Sequence, residues 1–588
     1  MKTLLTYDTE TTGLYRHDGD EMFAFSTCNK NPDGYGTTAV HRLDPPKARA
    51  RASQARLDAI WSDTGKRRYA KVMHNARFDL GMTEKRLGRS LRGHEIHETM
   101  ALSHIFQNLL PTHKLEYLGW ELFGYDRKFD APAHKYLNSE RGMLDCPEEV
   151  LTPYQVADAE RTHLLMHFFL PRIAQEGLQE VYDMERRLVW TTLTIEDRGV
   201  VVNRARCREM AEHYMKEADL ARERFRTIAG YGVNPGSAKQ LQYLLFKKMG
   251  FPVVKLTKKA KQPSTDAEAL EALIQQTNHP IFAAILQIKA YSKAADVFAG
   301  YLDVSDDDGV IHPSIHPYAA KTGRESCSRP NLHNVSKETT RNVRYPVPAR
   351  RVFKPKPGFV NFMLDYSGIE ARILAHMSGD EGVIKIFQEG GDFHAVASEI
   401  FYGDMFRNAT GAARKSLRDA GKNGDFRIGY GGGEDKLGGT IGIEQSLGVA
   451  AYRRFKARFP KYTNLNKRQA KEVRECGFVT TAFGRPLCVP ADKAFAGTNY
   501  DSQGTAAGIL KRAQNRIDEY FGTSEEGMVL PIHDELWIQW PRKRLREAKG
   551  MLRDVIAMMV DFPQISVPLE VEVKICTSDW NSAKEYEV

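Results

Sequence analysis

The sequence predicts a mixed α/β chain of three or four domains, and three observations carry that prediction. Its 588 residues are too many for one hydrophobic core. Short apolar runs at 360–364 and 528–532 break off at carboxylates, as buried strands that present charge at their ends would. A further stretch repeats cations and aromatics every four positions, the spacing of one helix face.

The totals exclude several classes. Charged residues make up 27% and hydrophobic residues 42%, an ordinary globular composition without a membrane-length apolar run. A net charge of +9 suits a partner made of phosphates. Seven cysteines include no CxxC pair, which argues against a zinc site or disulfide framework and for a reducing compartment. The N-terminus reaches Asp8 after only a few apolar residues, so it does not read as a signal peptide.

The chemistry concentrates in a few stretches. The first strand ends at Asp365, and Glu370 follows five residues later. In 527–538 the pair Asp534-Glu535 interrupts two strand-like segments, as at the tip of a hairpin. If the strands lie side by side, Asp365 and Asp534 converge. Two carboxylates sharing divalent ions about 4 Å apart form the clamp for in-line phosphoryl transfer. Either stretch alone reads equally well as an ordinary Asp-containing turn. The third stretch places Arg418, Lys422, Phe426 and Tyr430 on one helix face. Its cations would hold a triphosphate, and its aromatics would stack a base.

These three stretches resemble motifs A, B and C of the family A DNA polymerases, the bacterial polymerase I and phage replicative type. The resemblance runs through Thr322-Gly323-Arg324, Pro330-Asn331-Leu332, Asp392-Phe393-His394 and Gln503-Gly504-Thr505, and covers roughly 184–588. It implies a right-hand polymerase domain: 184–310 thumb and start of the domain, 311–380 palm with motif A, 381–475 fingers with motif B, and 476–588 palm with motif C. By this resemblance Asp365 and Asp534 hold two magnesium (Mg2+) ions, or manganese, with Glu535 as an auxiliary carboxylate. His394, Arg418 and Lys422 hold phosphates, and Lys422 is also an acid toward pyrophosphate. Phe426 stacks on the incoming base and Tyr430 closes the pocket. Glu370 beside Tyr430 is a steric gate against ribose. Arg324, Asn331, Asn334, Asn499, Gln503 and His533 contact primer–template DNA. Four lysines in 255–261 belong to a thumb loop that grips duplex backbone. Arg485 matches a family turn.

Two departures flank the nascent base pair. Glycines and Asp425 interrupt the motif B helix, each interior glycine costing ~1 kcal/mol, so a softer or bent helix is expected. Gly368 stands where the family usually has glutamine. Both changes suggest a pocket that accepts 2-aminoadenine, as in phages with that modified genome.

The first domain, 1–180, carries Asp8 and Glu10 on one strand face, Asn75 and Asp79 four apart, and Tyr154 and Asp158 four apart. In this order they resemble the DEDDy 3′→5′ exonucleases of ribonuclease H-like fold. That resemblance makes Asp8, Glu10, Asp79 and Asp158 metal carboxylates and Tyr154 the group that positions water. Residues 94–98 read as an exposed turn, because their two histidines are three apart and a zinc protease motif needs four. The Gly-rich run 429–442 lacks the GKS or GKT ending of a phosphate loop.

The expectation is therefore a DNA-directed DNA polymerase with proofreading, a monomer working on primer–template and deoxynucleoside triphosphates in the cytoplasm, of the host if phage-encoded. A motif at residue 8 leaves no room for a preceding 5′-nuclease domain, a compact phage-like arrangement. Helicase and single-strand binding protein are the candidate replisome partners. The rival is an exonuclease whose polymerase half only binds DNA, against which Asp365, Asp534, Lys422 and Tyr430 count. A related phage RNA polymerase is disfavoured by Glu370.

Overall fold

Strand β1 (Thr3–Thr11) organises the first sheet by its alternation. Leu5 and Tyr7 point into a core with Phe25, Trp61 and Leu80. Thr6 turns the other way, where its hydroxyl lies 2.9 Å from His163 Nδ1, and Asp8 and Glu10 share its face. The computed structural model describes residues 2–30, 36–43, 47–230, 232–335 and 344–588. In it β1 pairs antiparallel with β2 (Met22–Cys28) and parallel with β4 (Tyr69–Met73). Strands β3 (Thr38–Arg42) and β5 (Ile96–Glu98) complete the order β3-β2-β1-β4-β5. Helices α1 (Ala76–Leu87), α2 (Thr99–Phe106) and α3 (Glu148–Gln175) pack around it.

Residues 94–98 correct the sequence reading. They are not an exposed turn: β5 lies within them, and His94 and His97 are each 8% exposed. Ile96 is the one apolar residue of the run, so its pattern hides the strand. Polar partners replace apolar burial, with His97 Nδ1 2.9 Å from the Tyr182 hydroxyl and Lys71 Nζ 2.8 Å from His94 Nδ1.

After the short link 176–178, helix α4 (Gln179–Arg198) ends at Gly199, whose φ of 63° is a left-handed conformation that glycine adopts without strain. Two long helices, α5 (Arg204–Ala229) and α6 (Pro280–Asp303), then run against each other, with Tyr214 and Phe298 stacked at 5.8 Å. A short helix begins at Ala238, where Ser237 accepts the N–H of Gln240 at 3.4 Å.

From β6 (Phe359–Tyr366) the chain leaves through α7 (Ile369–Ser378) into a helical layer of α8 (Phe393–Tyr402), α9 (Gly411–Gly429) and α10 (Pro460–Cys476). It returns along α11 (Gly497–Phe521) to β7 (Gly527–Ile532), β8 (Glu535–Pro541), β9 (Val571–Cys576) and β10 (Lys584–Glu585). The second sheet has the order β7-β8-β6-β9-β10. Its apolar runs are continuous because both faces are covered. Phe362, Leu364, Leu536 and Ile538 pack with Ile509 and Ala513 of α11, whereas Met363 and Trp537 share a second core with Phe298 and Tyr301. A slip of one residue would exchange the two cores.

Helix α9 runs unbroken from Gly411 to Gly429. Its glycines mark close approach. A Cβ on Gly424 would come within 2.7 Å of Ile441 and 2.8 Å of Phe401, and one on Gly429 within 2.8 Å of the Tyr462 hydroxyl. Among the described residues no helix is long and apolar enough to cross a membrane.

Candidate active sites

Ile532 pairs with Glu535 across the β7–β8 hairpin, which leaves His533 and Asp534 to make the turn. His533 adopts φ 56°, a left-handed conformation uncommon for a side chain of this kind. Asp365 on β6 lies opposite Glu535 on β8, and the N–H of Tyr366 donates to the carbonyl of Asp534 at 3.2 Å. Asp365, Asp534 and Glu535 therefore meet at one end of the second sheet. The Trp537 indole N–H holds Glu535. Burial, then the charges of Glu535 and Asp534, push Asp365 up to about 6. Burial also raises Asp534, while Arg324 and His533 oppose the shift.

The expected binding residues gather around this point in part. Glu370, in the first turn of α7, accepts a hydrogen bond from the Tyr430 hydroxyl at the end of α9. Tyr430 also reaches Ser502 on α11 at 3.4 Å. Thr322 donates to Gln503 at 3.2 Å, and the Gln503 amide donates to Asn499 at 2.9 Å. The rings of His533 and His333 are 5.8 Å apart. Lys422 Nζ lies 5.7 Å from the centre of the Phe426 ring.

Other expected residues carry partners the sequence did not reveal. Arg418 donates to Asp392 at 3.1 Å. His394 Nδ1 lies 2.7 Å from the carboxylate of Asp425, which is fully buried and pushed up to about 6 by that burial. The aspartate that looked like a departure from the family pattern thus orients His394. Asn331 and Asn334 lie exposed, and Lys255 is paired with Asp266 at 2.8 Å. Lys258, Lys259 and Lys261 are exposed.

In the first domain Asp79 Oδ1 accepts both the N–H of Thr9, at 3.0 Å, and its hydroxyl, at 2.6 Å. That pins α1 to β1 and brings Asp79 beside Asp8 and Glu10. Asn75 is not on the same helix face: it precedes α1 with φ 67°, so the structure corrects the four-residue argument there. Asp158 and Tyr154 occupy successive turns of α3 and share a hydrogen bond. All four carboxyls are raised by burial and by one another, Asp79 to about 8.

Three residues escaped the sequence reading. Glu98 accepts the N–H groups of Asn75 at 3.0 Å, Ala76 at 2.5 Å and Met100 at 2.9 Å, which ties the starts of α1 and α2 together. Arg161 grips both oxygens of Asp130 at 2.7 Å and reaches Asp158 at 3.2 Å. The i, i+3 spacing of Asp158 and Arg161 is the one signal that could have found them.

Both clusters fit hard divalent cations. The donors are carboxylate oxygens, and their mutual repulsion is what a cation relieves. Among the described residues no group of three or more His, Cys, Asp or Glu side chains is already arranged to hold a metal ion. Magnesium does not require one, since it keeps several waters and is held by one or two carboxylates together with substrate phosphates.

The chain is similar to known proteins over most of its length. The model of the DNA polymerase family A matches residues 204–582. The thermostable DNA polymerase I of Thermus thermophilus is 32% identical over 424 residues, 70% of this chain and 49% of that protein. The enzyme of the same name from Thermus aquaticus is 33% identical over 425 residues, again 70% of this chain and 49% of its own length. DNA polymerase I of Pseudomonas aeruginosa is 29% identical across 99% of this chain and 64% of that one. The chain thus spans about half the length of the Thermus relatives it matches. Among solved structures, the polymerase domain of Pol1 from M. smegmatis, in complex with DNA primer–template and dNTP, superposes with a TM-score of 0.78 at 23% identity. That match covers 99% of this chain and 96% of the other, and it shows the shared fold.

Proposed function

Because this chain belongs to DNA polymerase family A, we propose that it is a DNA-directed DNA polymerase that extends a primer 3′ end and proofreads it with a 3′→5′ exonuclease. The observation that carries this reading is the convergence of Asp365 and Asp534 at one sheet end beside the bonded pair Tyr430 and Glu370. Two divalent ions, magnesium or manganese, would supply the Lewis acidity that activates the primer hydroxyl and holds the leaving pyrophosphate.

The chain's own residues do the rest. Asp365 and Asp534 hold the ions, with Glu535 braced by Trp537 as the auxiliary carboxylate. Lys422, Arg418 and His394 bind the triphosphate. Asp392 leaves Arg418 spare donors, because a guanidinium carries five. Lys422 also donates a proton toward pyrophosphate. Phe426 stacks on the incoming base, and Glu370, fixed by Tyr430, blocks a ribose 2′-hydroxyl. Asn499, Gln503 and His533 read the shared acceptors of the minor groove, and Arg324, Asn331 and Asn334 touch the primer–template near the new base pair. On this reading 184–310 is thumb, 311–380 and 476–588 palm, and 381–475 fingers.

The first domain, 1–180, is read as a ribonuclease H-like exonuclease of the DEDDy type. Asp8, Glu10, Asp79 and Asp158 hold its ions and Tyr154 orients the attacking water. A phage replicative role, a monomeric state and a cytoplasmic location belong to the same proposal. Selection of 2-aminoadenine would rest on Gly368 alone, since the α9 glycines are taken up by packing. Gly368 has open space where a Cβ would stand and a left-handed φ of 62°. A competition between 2-aminoadenine and adenine triphosphates that gives no preference removes that part.

The test is extension of a labelled primer–template in magnesium with deoxy- or ribonucleotides. Extension with deoxynucleotides alone supports the polymerase and its sugar gate. A primer that never lengthens leaves the rival, a nuclease with a DNA-binding second half.

A further inference from the structure

The turn that carries Arg324 is held from outside the polymerase half. Within it the N–H of Gly323 donates to the carbonyl of Ala320 at 2.8 Å, and the N–H of Ala320 to that of Arg324 at 3.4 Å. Two buried side chains of the first domain reach across to this turn. His104, near the end of α2, pairs its Nε2 with the Ala320 carbonyl at 3.0 Å. Asn108, just beyond α2, donates its amide to the Lys321 carbonyl at 2.8 Å and to the Cys488 carbonyl at 3.1 Å. The Asn108 oxygen accepts the Cys488 N–H at 2.8 Å, so its amide pairs with that backbone as a neighbouring strand would. Both residues are 1% exposed.

The chemistry of His104 fixes its role. With Arg485 donating to Nδ1 at 2.6 Å, that nitrogen must be the acceptor and Nε2 the N–H that donates to Ala320. Burial and the neighbouring Arg485 keep the ring neutral. Arg485 and Lys511 in turn converge on Glu185 of α4, and Lys511 also donates to the Pro317 carbonyl at 3.0 Å. The segment 317–321 is thus gripped at three carbonyls, those of Pro317, Ala320 and Lys321, directly upstream of Thr322, which bonds Gln503, and of Arg324, whose charge acts on Asp534 and Tyr430.

We infer that His104 and Asn108 are positioning residues for the polymerase site: the first domain sets the place of Arg324 by clamping the turn 320–324. This rests on the polymerase reading, and it makes the first domain necessary to synthesis even when its own carboxylates are silenced.

The test uses the full chain with Asp8→Asn to silence degradation, and compares Asn108→Leu, His104→Leu and His104→Gln. Two quantities are read: single-nucleotide extension resolved into kcat and KM, and hydrogen exchange of the Gly323 amide. We expect Asn108→Leu and His104→Leu to lower kcat by about 10- to 100-fold, the scale of a small misplacement remote from the chemistry. Gly323 exchange should rise while that of β6 stays slow. His104→Gln, which can still donate to Ala320, should recover most of the rate. Wild-type extension with unchanged Gly323 exchange in both leucine variants would overturn the clamp. So would a rate loss that His104→Gln shares equally. If the Asp8→Asn chain itself extends nothing, the polymerase reading has failed, and Gly323 exchange still decides whether the clamp exists.

Discussion

The two carboxylate clusters of this chain are built differently. In the palm-like sheet Asp365 is half-buried, its neighbour Glu535 lies across a strand pair, and Arg324 and His533 offset the charge of Asp534. In the first domain Glu10, Asp79 and Asp158 are all under 9% exposed, and each repels the others. Arg161 stands against that repulsion through Asp158, and Arg42 lowers Glu10. The first-domain cluster therefore carries more uncompensated repulsion, whereas the cluster of the second sheet is partly neutralised by its own protein.

Substitution at the ion-holding positions should give the largest effect. Asp534→Asn is expected to lower primer extension on the order of 10^2- to 10^3-fold while 3′→5′ digestion continues. A parallel loss of digestion would mean that the clusters are not independent. Next comes the shared brace between the halves. Glu185 is fully buried, with Lys511 Nζ 2.9 Å from each of its oxygens, and its cations hold its carboxyl below the usual range. Glu185→Gln leaves two buried cations short of a partner and should destabilise the fold by about 3–5 kcal/mol, read as a fall in melting temperature. A loss below 1 kcal/mol, the scale of an exposed pair, would show that water already screens the cluster.

A third substitution probes the fingers. Gly424→Ala should cost about 1–3 kcal/mol by overpacking against Ile441 and Phe401. A stabilised variant would instead support the softer helix that the sequence suggests.

The smallest effect concerns pH. A raised carboxyl binds its proton more tightly in the folded chain, so stability is greatest below the ordinary carboxyl range and is lost as pH rises through the folded pKa. For Asp79 that loss runs from 3.8 up to about 8, and for Asp365 it ends at about 6. Metal-free protein should therefore keep losing stability between pH 6 and pH 8 through the first domain, and magnesium should restore it there. A flat melting temperature over that interval would contradict the comparison.

How much of this was legible follows from chain distance. Asp365, Asp534 and Glu370 announced themselves because apolar strands and a helix start frame them within a few residues. The first sheet was legible at β1 for the same reason. Strand β5 was not, since its burial is satisfied by Tyr182 and Lys71 from other elements. Asp425 read as an interruption because its partner His394 lies 31 positions away. The clamp of His104 and Asn108 on residues more than 200 positions downstream has no local pattern at all.

The central claim is that two ion-dependent sites act in opposite directions on one primer end. The most direct measurement follows the length of an end-labelled primer on its template in magnesium, first without nucleotides and then after deoxynucleotides are added. We predict shortening from the 3′ end in the first phase and regrowth in the second. Shortening that continues unchanged after nucleotides are added would contradict the account, and would leave the second sheet's carboxylates without the chemistry assigned to them.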